Sequence, residues 1–135
     1  MIDNISIPLH TIDEKGRLSI ARKWIYDKKP IVVAKSSIIR DSRPYLIGCL
    51  EHDIIDYVEN LYGQDSRENR KIDREVYANA EICPLDYQGR IRIPKKLLSY
   101  IGIEGRANVV INEVYSGIGV FEIWNVKNWK TRRVE

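Results

Sequence analysis

An aspartate, a glycine and an arginine recur at one spacing in two places in the chain. The stretches are TIDEKGRLSI at residues 11–20 and PLDYQGRIRI at 84–93. Asp13 corresponds to Asp86, Gly16 to Gly89 and Arg17 to Arg90, each 73 positions apart. A guanidinium binds phosphate through two parallel hydrogen bonds, and it also fits the O6 and N7 edge of guanine. A tight hairpin lets such a group protrude without a long loop, and glycine beside it removes a side chain that would hold a polyanion's backbone away. Arg17 and Arg90 are therefore the candidate anion contacts. Lys15 reinforces the first turn, where the second carries Gln88, and on charge alone the first turn is expected to be the stronger. Arg92 and Arg22 are flanking cations. Asp13 and Asp86 are expected to structure the turns and orient the arginines, because a bare carboxylate facing phosphate is repelled.

The charge distribution supports a polyanionic partner more than the net charge of +3 does. Residues 15–29 hold Lys15, Arg17, Arg22, Lys23, Lys28 and Lys29 against Asp27, and residues 89–106 hold five cations against Glu104. The acidic residues concentrate in 51–75, so each copy of the turn opens a locally basic segment. Other chemistries lack their residues. Cys49 and Cys83 have no CxxC partner and read as small semi-buried thiols, and His10 and His52 have no ligand spacing. No metal, cofactor or small-molecule substrate is expected. Nor is enzymatic activity, since no nucleophile, base and oxyanion donor assemble from the spacing. The apolar runs IVVA and LIGCL fall far short of the roughly 18 residues of a membrane span, and MIDNIS is not a signal peptide. The expected location is cytoplasmic.

The elements that must position these residues follow the same repeat. ISIPLHTI alternates, with Ile5, Ile7 and Leu9 on one side, as a half-buried strand does. DEKG and DYQG are four-residue turns, in which Asp bonds the backbone two residues on and Gly tolerates positive φ. RLSI and RIRI then alternate, placing Leu18, Ile20, Ile91 and Ile93 inward and Arg17, Ser19, Arg90 and Arg92 outward. PKKLLSYIGI reads as a helix with Pro94 at its first position, an apolar face of Leu97, Leu98 and Ile101, and Gly102 as its C-terminal cap. ARKWIYDKK is its counterpart. IVVAK, YLIGC, ANVVINE and VFEIW read as strands. DIIDYVENLYG and DSRENRKIDREVYANA read as connecting helices, and NVKNWKTRR as a short one with Trp129 inward. Trp24, Tyr45, Trp124 and Trp129 read as core or subunit interface. The expected units are 1–52, a connector over 53–80, and 81–135. A half of this size buries too little apolar surface to stand alone, so the two are expected to interleave as one mainly β barrel with a pseudo-two-fold axis.

LHTIDEKGRLSI resembles the N-terminal signature of the MraZ family, LDYQGRIRIPKKLLSYIGI is similar to that family's second repeat, and FEIWNVKNW to its C-terminal segment. The resemblance spans nearly the whole chain. It implies two AbrB/SpoVT-like swapped-hairpin units, a ring-shaped homo-oligomer, and a nucleoid-associated transcriptional regulator. Family members bind double-stranded DNA at direct repeats upstream of their own division and cell-wall gene cluster. By position, the family's Asp-x-x-x-Arg motif falls on Asp13 and Arg17, and on Asp86 and Arg90. Ala21 replaces a proline of the first repeat, and MIDNIS departs from the usual start. The alternative from the residues themselves is a ring-forming scaffold or interaction protein that does not read DNA.

Overall fold

The computed structural model describes residues 9–20, 30–36, 43–50, 80–115 and 120–132, with Lys71 and Arg74 as isolated helical positions. Within them eight strands and two short helices run in the order β1 (Leu9–Ile12), β2 (Arg17–Ser19), β3 (Ile31–Lys35), β4 (Leu46–Cys49), β5 (Glu81–Cys83), β6 (Arg90–Arg92), α1 (Lys95–Tyr100), β7 (Ala107–Tyr115), β8 (Val120–Asn125) and α2 (Val126–Thr131). The fold is mainly β, and every strand pairing among the described residues is antiparallel. The expected helices at 21–29 and 53–63, and all of 65–80 except Lys71, Arg74 and Ala80, lie outside the described residues, as does Trp24.

The two copies of the repeat exchange partners. A six-stranded sheet runs β1-β7-β8-β4-β3-β5, and β2 pairs with β6 as a separate ribbon. Thus β1 of the first copy lies against β7 of the second, while β5 of the second lies against β3 of the first. Neither copy completes its own sheet. This interleaving places Ile12, Leu18, Ile20, Ile31 and Val33 in one apolar cluster with Ile91, Ile93, Leu97, Leu98, Val109, Phe121 and Ile123. Each such side chain contributes about 1.5–3 kcal/mol when fully buried, and every contribution here depends on both copies being present.

The helix after β6 is closed by its own sequence. Gly102 adopts φ +74. Its N–H donates to Ser99 O at 3.0 Å, and the Ile103 N–H to Leu98 O at 2.9 Å. These two bonds form a Schellman closure, and Ile103 is buried against the helix it ends. Pro94 sits one residue earlier than the sequence suggests: at φ −58 and ψ 144 it is the N-cap, and the helix begins at Lys95. Proline's fixed φ suits either position, and here its ψ still belongs to the extended chain leaving β6.

The central strands are buried on both faces, which simple alternation does not anticipate. Phe121 and Ile123 face the common cluster, whereas Tyr45 and Trp124 stack on the other side with ring centroids 4.5 Å apart. Trp129 of α2 meets Trp124 edge-on at 5.8 Å. Glu122, only 4% exposed, accepts hydrogen bonds from Trp124 Nε1 at 2.8 Å and Asn112 Nδ2 at 3.0 Å. Gly48 is required opposite Phe121, whose fully buried ring occupies the space a Cβ would take. Of the strand expected over residues 5–12, residues 5–8 with Ile5 and Ile7 lie outside the described residues, and the described part differs from the expectation at one point. Leu9 is 52% exposed, and Ile12 is the residue that β1 buries completely. Cys49 and Cys83 are both buried thiols, and burial pushes Cys83 up to about 11.

Candidate nucleic-acid interface

Both turns are built by their aspartates in the same way. Asp13 Oδ1 accepts the Lys15 N–H at 3.0 Å and the Arg17 N–H at 2.9 Å, while Oδ2 takes Arg17 Nε at 2.7 Å. Asp86 Oδ1 accepts the Gln88 N–H at 2.8 Å and the Arg90 N–H at 2.9 Å, and Oδ2 takes Arg90 Nε at 3.0 Å. Gly16 at φ +80 and Gly89 at φ +77 supply the left-handed residue that closes each turn. The backbone N–H of Arg17, and then the other bonds at the turn, hold the Asp13 carboxyl below its ordinary value despite opposing desolvation. Asp86 is lowered likewise, first by the Arg90 backbone N–H.

This arrangement fixes how the arginines present themselves. Their side chains are 34% and 26% exposed, so they lie along the turn rather than protruding from it. Each is gripped through Nε alone, and among the described residues the Nη1 and Nη2 ends have no protein partner. The paired Nη edge is a two-pronged donor that suits a phosphate or a guanine edge. The aspartate pre-orders the donor and spends only one of its faces.

The ribbon gathers the cations from both copies onto one face. Leu18 pairs with Ile91 and both are buried, so their neighbours lie on the opposite, outward side. There Arg17 stands opposite Arg92, and Ser19 opposite Arg90. The Ile93 N–H donates to Gly16 O at 2.8 Å, and the Ile20 N–H to Gly89 O at 3.0 Å, tying each turn to the other copy's strand. Because β2 and β6 are antiparallel, the two turns lie at opposite ends of the ribbon. Like charges directly opposite across strands are unfavourable, and among the described residues Arg92 has no acidic partner. A bound anion would relieve that repulsion.

Lys15 is exposed on the first turn, whereas Arg22 lies outside the described residues. Lys96 pairs with Glu81 and is occupied in holding α1 to β5. Tyr87, which charge and spacing did not single out, is 95% exposed on the second turn. The signal available for it was an aromatic residue between the aspartate and glycine of a turn that presents its other side chains outward.

Comparison with known proteins decides the relationship. Over 120 residues the chain is 33% identical to the transcriptional regulator MraZ of Thermomicrobium roseum, covering 89% of this chain and 80% of that protein. The chain belongs to the MraZ family. The MraZ proteins of Syntrophotalea carbinolica and Leuconostoc citreum are each 30% identical, over 93% of this chain and 81% and 83% of their own lengths. The MraZ family model, described as antitoxin-like, matches residues 76–133, the span from before β5 through α2. The resemblance drawn from the repeated turns is thereby established at the level of family. Among the described residues no helix is long and apolar enough to cross a membrane.

Proposed function

We propose that the chain is a sequence-specific DNA-binding transcriptional regulator acting on double-stranded DNA upstream of its own gene. The observation that carries this reading is the ribbon face, where Arg17, Arg90 and Arg92 converge from two copies and two of them are pre-ordered through Nε, with no protein partner at their Nη ends among the described residues. A two-stranded β-ribbon is narrow enough to enter a major groove. The names of the relatives, each a transcriptional regulator, support the same reading. Lys15 adds phosphate contact at one end, and Arg22 is a further cation for DNA contact in this reading. Asp13, Gly16, Asp86 and Gly89 keep the donors in place. The protein requires no metal or cofactor for this work, and its site of action is the nucleoid.

The working form in this proposal is a ring of chains. One module with two arginine turns binds weakly, whereas several modules on tandem DNA repeats raise the effective concentration of each contact. Leu9 and Ile82, at equivalent positions on edge strands β1 and β5, are 52% and 66% exposed. Their apolar exposure at both ends of the sheet supports head-to-tail association. In this scheme 1–52 and 81–135 are the two repeat units and 53–80 joins them.

The same exposed edges would serve a scaffold that assembles without reading DNA. A gel-shift assay with the DNA preceding the chain's own gene, against a scrambled duplex of equal length, separates the two. Preferential retardation of the upstream DNA is expected. Equal or absent binding of both duplexes would leave the scaffold reading in place.

A further inference from the structure

We infer that the two turns contact DNA through different chemistry, and that Tyr87 is a specificity-determining residue whose ring packs against the apolar surface of the groove. This rests on the DNA-binding reading above and deepens it. The strand exchange makes the ends of the ribbon unlike. Beside the first turn lie Lys15, Arg17 and, delivered across the ribbon from the second copy, Arg92. Beside the second turn lie Arg90, Gln88, Tyr87 and Ser19. The first end has the surplus of cations, although Glu14 offsets Lys15. The second end is built around a neutral ring and an amide.

Tyr87 contributes almost nothing to the protein's own packing. At 95% it is the most exposed of the large hydrophobic side chains among the described residues, and the first turn folds identically with Glu14 in its place. Its backbone position is nevertheless fixed, because the Asp86 carboxylate and carbonyl hold Gln88, Gly89 and Arg90. A rigid turn therefore carries an aromatic ring into solvent three residues before Arg90, whose Nη ends have no protein partner among the described residues. Beside a phosphate a glutamate is repelled. A tyrosine is not, and its ring can cover a sugar or a thymine methyl, which is the apolar feature of the major groove. Gln88 next to it can bond a base edge, with adenine its natural partner. The first end thus supplies charge-driven, sequence-tolerant hold, and the second end supplies discrimination.

The test is a fluorescence-anisotropy titration of full-length variants on the upstream duplex and on a scrambled duplex, over a series of salt concentrations. Tyr87→Ala is expected to weaken binding to the upstream duplex roughly tenfold, the scale of exposing again the part of an aromatic ring buried against the groove. Its salt slope should match the wild type, and its loss on scrambled DNA should be smaller. Tyr87→Phe should stay within about twofold, since the ring makes the contact. Lys15→Ala should instead flatten the salt slope by about 0.9, as expected for one phosphate contact. Tyr87→Ala within twofold of wild type on the upstream duplex would overturn the inference, as would a Tyr87→Phe loss equal to that of Tyr87→Ala. Arg90→Ala separates the levels. If it and the wild type bind alike, the DNA-contact reading of the ribbon fails; if Arg90→Ala is impaired and Tyr87→Ala is not, only the role of Tyr87 fails.

Discussion

Replacing Gly16 by alanine tests how the first turn is held. Gly16 has φ +80, and a Cβ there would sit 2.8 Å from Ile93 O and 3.3 Å from Leu98 Cδ1. The left-handed conformation costs an L-residue about 1–2 kcal/mol. The steric part is added because Ile93 O belongs to backbone that cannot rotate away. Its own N–H donates to Gly16 O at 2.8 Å, so moving it also loosens a hydrogen bond between the copies. Such a bond is worth about 1 kcal/mol net. The total expected for Gly16→Ala is about 3 kcal/mol. Gly105 provides the control, since at φ +67 a Cβ there would have nothing within 4 Å. Gly105→Ala therefore carries the conformational term alone, about 1–2 kcal/mol. Urea unfolding at equal protein concentration reads both, and with m of about 2 kcal/mol/M the midpoint of Gly16→Ala should fall by roughly 1.5 M. If Gly16→Ala costs no more than Gly105→Ala, the close approach of turn and β6 does not constrain the turn.

Other parts of the structure make separate demands. Gly48→Ala should destabilise by about 1–3 kcal/mol through overpacking against the buried Phe121 ring, and Phe121→Leu in the same chain should recover part of it; additive losses in the thermal double-mutant cycle would contradict this. Glu122→Leu strands the buried Trp124 Nε1–H, costing about 1–3 kcal/mol, and adds a smaller loss at the half-buried Asn112 amide, whereas Glu122→Gln keeps an acceptor and should cost clearly less. Equal losses by denaturant titration would show that the acceptor is not what matters. The lowered pKa values of Asp13 and Asp86 mean that their ionised forms stabilise the fold above the ordinary value of 3.8, and that this contribution is lost as pH falls through the folded values. The stability gap between wild type and the Asp13→Asn/Asp86→Asn variant should accordingly be constant above about pH 5 and shrink below about pH 4. A gap that widens on acidification would reverse the assigned sign.

Local chemistry was legible in the sequence wherever one short segment decides the outcome. The Asp-to-Gly turns, the inward Leu18 and Ile91, and the helix that ends at Gly102 all follow from turn residues and periodicity. What alternation could not give is partner choice. Nothing local says that β2 pairs with β6, so the placement of Arg92 opposite Arg17 was out of reach, and with it the unlike ends of the ribbon. Burial of β8 on both faces was out of reach for the same reason, since only the folded strand shows Glu122 buried with an indole and an amide as its donors. The arginines were expected to protrude. The carboxylate that shapes each turn also draws the side chain down, because the Asp Oδ2 and Arg Nε four residues apart meet across it.

The central claim is that the ribbon's arginines hold DNA. The most direct measurement is the salt dependence of binding to the upstream duplex for the wild type and for Arg17→Ala/Arg90→Ala/Arg92→Ala, with size-exclusion light scattering to show unchanged assembly. The account predicts that the variant keeps its fold and oligomeric mass, binds the duplex far more weakly, and has a shallower slope of log affinity against log salt. A variant that binds with wild-type affinity and slope would contradict it.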